Sequence, residues 1–222
     1  DHIAPLWLGQ DSSQIEHLWK IAYEKTRLIG RQGLVMRALS LADIALWDLK
    51  AKQANFPLHK LLGGSRPSVP VLMAGGYYAE GKGIKELTSE FENYLEEGFQ
   101  HLKLMVGGES MAADLLRYVA LRKLLPPEIS LGVDANGSWK HPKEVLQWID
   151  QAQQSTGVPI SFLEEPLPPE EFPGTRFMRE RTNVPLAIGE FLAGRWEFRH
   201  WIEGGAVDIV RVDATTCGGI TE

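Results

Sequence analysis

The sequence predicts an α/β protein: a parallel strand–helix barrel preceded by a helical segment. Three observations predict it. From about residue 69 onward, short apolar runs alternate with amphipathic stretches of helical period, and regular alternation of this kind implies a parallel sheet. Residues 1–66 read as helical throughout. Three of the apolar runs end in a carboxylate, in Leu131-Gly-Val-Asp-Ala-Asn136, Phe162-Leu-Glu-Glu-Pro166 and Ala187-Ile-Gly-Glu190. Asp134 and Glu164 are 30 residues apart and Glu164 and Glu190 are 26 apart, about one strand–helix–strand unit each. An open doubly wound sheet and a closed barrel both fit the alternation. The barrel is favoured because strand C-termini share one face there, so three successive strands deliver a carboxylate to one centre.

In order along the chain, Asp11-Ser12-Ser13 is a plausible cap for an amphipathic helix over 14–25. A break at Gly30-Arg-Gln-Gly33 precedes a second helix over 34–53, apolar on most sides and so expected to be buried between layers. Asp43 and Asp48 on it read as packing or capping partners. Leu61-Leu-Gly-Gly-Ser-Arg-Pro67 is a linker by composition. Strands are expected at 69–73, 101–106, 130–134, 160–164, 186–189 and 208–212. Helices are expected at 84–97, 111–125, 142–153 and 196–202, with a short helical stretch after 164. This gives a helical domain over 1–66 and a barrel domain over 67–222 with six strands visible. Eight strands close such a barrel, so two more are expected outside this sequence. The ends are abrupt, with no initiator Met, which suggests an excerpt of a longer protein. Six strands alone would expose two open edges.

Composition narrows the function classes. The 222 residues are 44% apolar and 23% charged, as in an ordinary globular protein. A formal charge of −6 argues against a non-specific nucleic-acid binder. No apolar stretch approaches the ~20 residues that span a bilayer, and Asp1-His-Ile-Ala-Pro5 lacks the features of a signal peptide. A single cysteine, Cys217, forbids an internal disulfide and fits a reducing cytoplasm.

Three converging carboxylates repel one another unless a hard cation neutralises them, and Mg²⁺ is the natural candidate. Asp134, Glu164 and Glu190 are therefore candidate metal ligands. Lys103, in Gln100-His-Leu-Lys-Leu-Met-Val-Gly107, precedes Asp134 by 31 residues. Beside a dication its ammonium form is disfavoured, which suits proton transfer; a salt bridge to one of the carboxylates is the alternative. Asp213 ends Asp208-Ile-Val-Arg-Val-Asp213, 23 residues past Glu190, as a fourth ligand or as the orienter of a histidine. None of the six histidines stands at a strand C-terminus. Asn136 shares the face of Asp134 by strand alternation and is a candidate for binding a substrate carboxylate. Glu165 falls on the opposite face.

These motifs resemble the enolase superfamily in its mandelate racemase-like branch. The matching stretches are Ala38-Leu-Ser-Leu-Ala-Asp-Ile-Ala-Leu-Trp-Asp48, Pro57-Leu-His-Lys-Leu-Leu-Gly-Gly64, Asp134-Ala-Asn136, Leu163-Glu-Glu-Pro166, Ile188-Gly-Glu190, Val212-Asp213 and Gly218-Gly-Ile-Thr221. The resemblance implies a modified TIM-type (β/α)₇β barrel with an α+β capping domain, of which the helical part is present at the N-terminus. It implies Mg²⁺ on Asp134, Glu164 and Glu190, holding a substrate carboxylate while a base takes the α-proton and the cation stabilises the enediolate. It also implies an enzyme acting on a small carboxylate; a cytoplasmic location, in line with the single cysteine, and a homo-oligomer are expected.

One departure is informative. The branch carries Lys-x-Lys on its second strand, with the second Lys as a base, and here the motif is Lys103-Leu104-Met105. A thioether neither takes nor returns a proton at neutral pH. Met105 argues against 1,1-proton transfer, hence against a racemase or epimerase. By the resemblance the remaining base is a His paired with Asp213, expected beyond Glu222. One base suffices for dehydration, so the expected activity is a lyase: dehydration of an acid sugar to a 2-keto-3-deoxy acid. The alternatives are a racemase or epimerase of a 2-hydroxy acid or amino acid derivative, and a catalytically impaired metal-binding member.

Gly76-Tyr-Tyr-Ala-Glu-Gly-Lys-Gly83 matches a phosphate-binding loop except at its last position, where Gly83 has no hydroxyl for Mg²⁺. Cys217 has no activating His placed near it.

Overall fold

The computed structural model describes residues 2–222. Among them six strands form one parallel sheet: β1 Met73–Gly75, β2 His101–Met105, β3 Ser130–Asp134, β4 Leu163–Glu164, β5 Leu186–Ile188 and β6 Ile209–Val210. Their spatial order is β1-β2-β3-β4-β5-β6. A sheet whose spatial order follows chain order has no switch point, whereas a doubly wound sheet must have one. The singly wound order is that of a strand–helix barrel.

The helices are α1 Ala4–Trp7, α2 Ile15–Lys25, α3 Gly33–Gln53, α4 Leu58–Leu61, α5 Ile84–Glu96, α6 Met111–Leu124, α7 Pro142–Thr156, α8 Phe172–Arg179 and α9 Gly194–Glu203. Local chemistry explains the boundaries that position the sheet. Ser110 caps α6, its Oγ accepting from Ala113 N at 3.2 Å. Pro142 opens α7 where its missing N–H costs nothing, and Gly157 at φ +68 closes it. Between them, Val145, Trp148, Ile149 and Ala152 recur at i, i+3, i+4 and i+7 and are all buried.

The chain divides into two compact units. One comprises Pro70–Ile188 and Trp201–Val210, the other Asp1–Val69, Gly189–His200 and Arg211–Glu222. The core of the sheet-bearing unit joins Leu102, Leu104, Leu131, Val133, Leu163 and Leu186 of the strands to Leu87, Phe91, Tyr118 and Ile149 of the helices. The helical unit has a smaller core of Trp19, Ala22, Met36 and Leu39.

Several expectations are corrected. The α2 N-cap is Gln14, with no side-chain cap; Asp11 instead accepts from Ser13 N at 2.9 Å in a local turn. Helix α3 is not buried on most sides. Leu34, Leu41 and Leu49 are exposed, and the buried face includes the polar Ser40 and Asp43. The first strand begins at Met73 rather than residue 69, because Pro70 has no N–H to give a ladder and Val69, Val71 and Leu72 lie exposed. Strands β4 and β6 shrink to two residues each.

A buried polar network ties the loops that follow β1 and β2. Asp114, fully buried, accepts from Gly107 N at 2.7 Å, from Arg117 Nη1 at 3.0 Å and from the Tyr78 hydroxyl. Arg117 also donates to Met105 O at 2.9 Å and to Gly76 O, and its guanidinium stacks over the Tyr78 ring. Asp114→Ala strands the arginine in the interior and is expected to lower stability by about 3–5 kcal/mol. Urea unfolding followed by tryptophan fluorescence measures it, and an unchanged midpoint would refute the network's structural weight.

Candidate metal centre

Asp134 and Glu164 are the last residues of β3 and β4, and the parallel register pairs them directly. The neighbouring register pairs Met105 with Asp134 and Lys103 with Gly132. Side chains two apart on a strand share a face, so Lys103, Met105, Asp134 and Glu164 issue from one face of the sheet. Glu190 follows β5 by two residues, after Gly189 at φ +141. A Cβ at Gly189 would lie 2.8 Å from Arg211 O, so only glycine makes this turn.

One carboxylate oxygen from each of Asp134, Glu164 and Glu190 lies within 4.8 Å of the others. Asp134 and Glu164 are buried and Glu190 is partly so. At that separation two unit charges repel by roughly 3 kcal/mol at an effective dielectric near 20. Lys103 Nζ relieves part of this, donating to Asp134 Oδ2 at 2.7 Å and to Glu164 Oε2 at 2.8 Å. One ammonium against three carboxylates leaves a net negative centre of hard oxygen donors, a set suited to Mg²⁺, Mn²⁺ or Ca²⁺.

Lys103 occupies the salt-bridge position given above as its alternative. Burial pushes its pKa down, but the hydrogen bonds it donates to Asp134 and Glu164, together with their charges, outweigh burial and hold the ammonium above its ordinary value. Asp213 stands outside the carboxylate group: its Oδ1 accepts from Thr215 N and Thr215 Oγ1, each at 2.7 Å. Those bonds keep its pKa below the usual range, helped by the charges of Arg211 and Arg37.

Strand alternation does not describe Asn136 or Glu165, because β3 and β4 end before them. Both adopt left-handed backbone, at φ +48 and +39. Asn136 is exposed, and its main-chain N–H donates to Asp134 Oδ1 at 2.9 Å. Glu165 is fully buried and its carbonyl accepts from Gly137 N at 2.7 Å. Left-handed non-glycine residues one and two positions after candidate ligands are costly conformations that the surroundings enforce. Sequence reasoning overlooked this for Glu165; the usable signal was Pro166, since a residue before proline is steered away from right-handed helix.

The competing readings fare poorly. Lys82 Nζ is bound to Glu90 Oε2 at 2.7 Å, and Glu90 also accepts from Gly76 N and Tyr94 OH. The Gly76–Gly83 loop thus spends its charge and a key amide internally rather than on phosphate. Cys217 is buried, and burial raises its thiol pKa, which makes it a poor nucleophile. No helix among the described residues is long and apolar enough to cross a membrane.

Residues 86–222 match the family described as enolase C-terminal domain-like, and residues 1–63 match the N-terminal domain of the mandelate racemase/muconate lactonizing enzyme family. The chain belongs to the enolase superfamily. It falls in the mandelate racemase-like branch, as the motifs suggested. It is 34% identical to arabinonate dehydratase of Saccharolobus solfataricus over 99% of this chain and 58% of that protein. It is likewise 34% identical to D-galactarolactone cycloisomerase of Agrobacterium fabrum, over 97% of this chain and 57% of the relative. Among solved structures, L-talarate dehydratase of a Polaromonas species, crystallised with Mg and L-glucarate, superposes with a TM-score of 0.86. It shares 34% identity across 99% of this chain and 60% of its own. The chain therefore spans somewhat under two thirds of the length of the relatives it matches.

Proposed function

We propose that this superfamily member is an Mg²⁺-dependent lyase that removes the proton α to the carboxylate of an acid sugar and expels the β-hydroxyl, giving a 2-keto-3-deoxy acid. The observation that carries the reading is the group of three carboxylate oxygens within 4.8 Å on successive strand ends. In this reading Asp134, Glu164 and Glu190 hold the cation, and Lys103 orients two of them through its paired hydrogen bonds. When bound, the dication supplies the charge that neutralises a substrate carboxylate and the negative charge growing on it during proton removal. A side-chain base alone cannot ionise so weak a carbon acid, so this electrostatic term must be large. Asn136, exposed beside Asp134, donates to the substrate carboxylate, and Asp213 orients the proton-transfer partner. Relatives named as acid-sugar dehydratases support the substrate class.

Met105 shapes the outcome. It stands beside Lys103 on the site face and has no exchangeable proton, so only one face of the substrate is served by a base. Incubation with a panel of acid sugars and Mg²⁺ in D₂O is expected to release a 2-keto-3-deoxy acid from at least one, with no deuterium entering unreacted substrate by inversion at the α-carbon. Recovery of the α-epimer would refute the one-faced reading. A second reading, cycloisomerisation of an acid-sugar lactone, is favoured by the identity to D-galactarolactone cycloisomerase. It is told apart by a product of unchanged mass.

A further inference from the structure

The segment after β6 is held by polar side chains of α2 and α3, and it in turn holds the stretch that carries Glu190. All of these residues belong to one compact unit. Asp43, fully buried on α3, accepts from Thr221 N at 2.9 Å and from Thr221 Oγ1. That hydroxyl accepts in turn from Trp47 Nε1 at 2.9 Å. Ser40 Oγ accepts from Gly218 N at 2.8 Å, and Trp19 Nε1 donates to Gly218 O at 2.7 Å. The approach is so close that a Cβ on Gly219 would lie 2.3 Å from Asp43 Oδ2, and Gly219 has φ +94. From its other side the same segment grips the chain after β5. Thr216 Oγ1 donates to Glu190 O at 3.3 Å, Gly194 N donates to Cys217 O at 2.8 Å, and Arg195 N donates to Glu222 Oε1 at 2.6 Å.

A buried carboxylate is costly unless its hydrogen bonds are complete. Here that carboxylate sits on a helix that leaves Leu34, Leu41 and Leu49 in solvent. Beside the apolar Met36, Leu39 and Ala51, the buried face of α3 thus carries two polar side chains, Ser40 and Asp43, both bonded to residues 216–222. The segment it holds bonds directly to the main chain of Glu190.

We infer that Asp43 is a positioning residue for Glu190. It fixes the 216–222 segment, which fixes the Glu190 carbonyl and the start of α9, and so sets the direction in which the Glu190 carboxylate is presented. The inference rests on the metal reading above. Outer partners that orient a ligand typically change metal affinity by about 10–100-fold when removed.

The test measures Mg²⁺ binding by calorimetry, with Mg²⁺ alone, alongside amide hydrogen exchange. Asp43→Ala is expected to weaken Mg²⁺ binding by roughly tenfold or more and to speed exchange at the Leu192 and Gly194 amides. Asp43→Asn, which keeps one acceptor oxygen, should recover part of the affinity. Val145→Ala, a truncation in the α7 core with a comparable drop in thermal midpoint, should keep the wild-type Kd. An unchanged Kd in folded Asp43→Ala overturns the inference, and so does an equal loss in Val145→Ala. Should Asp43→Ala fail to fold, Thr221→Val decides: it removes the hydroxyl's bond to Asp43 and its bond from Trp47, with a loss of at least roughly threefold expected and a wild-type Kd counting against it. Faster exchange in a protein whose Glu190→Gln variant binds Mg²⁺ as wild type does would mark the metal reading as the part that fails, and the positioning role would fall with it.

Discussion

Glu164→Gln is expected to remove Mg²⁺-dependent turnover and to weaken Mg²⁺ binding sharply. Glu164 is fully buried at the end of β4, paired in register with Asp134 and bonded to Lys103. The amide keeps the size of the side chain but removes the charge, so the loss reads electrostatics rather than packing. A bound dication contributes several kcal/mol of charge stabilisation to proton abstraction. At about 1.4 kcal/mol per tenfold in rate, losing it implies a drop of at least about a thousandfold in kcat/KM. Initial rates on an acid sugar over a range of Mg²⁺ concentrations measure both effects. Near-normal turnover at saturating Mg²⁺ would sink the metal assignment.

The second large effect concerns stability. Lys103→Met leaves Asp134 and Glu164 buried side by side with no counter-charge among their present hydrogen-bond donors from β2. Breaking a buried pair by deleting one partner costs about 3–5 kcal/mol, chiefly because a charge is left uncompensated. The cost should show as a lower thermal midpoint without metal. Mg²⁺ supplies the missing positive charge and binds the folded state preferentially, so its addition should raise the midpoint more in Lys103→Met than in wild type. Equal midpoints for the two proteins without metal would mean that the three carboxylates do not depend on this ammonium. A metal-induced shift no larger than that of wild type would separate the lysine from the cation site.

Legibility differed between elements for physical reasons. Strand β3 was readable because an apolar run and its terminal Asp agree locally. Helices α5, α6 and α7 were readable because their apolar residues recur with helical period and their ends carry Ser, Pro or Gly signals. Helix α3 misled because its many leucines suggest burial all round. The residues it buries include Ser40 and Asp43, whose partners lie 178 residues away. Strand alternation is no guide to Asn136 and Glu165, because they lie one or two residues past the strand ends.

The sequence by itself determined that strand and helix alternate, that three carboxylates end successive apolar runs, and that methionine stands two residues after Lys103. Those are local or periodic facts, and spacing alone carries them. Only the tertiary structure decided that the three oxygens fall within 4.8 Å, that Lys103 bridges two of the carboxylates rather than standing free, and that Asp43 meets Thr221. Each depends on strand register and on contacts between residues far apart in the chain, and no pattern of neighbours along the sequence encodes the distance between them.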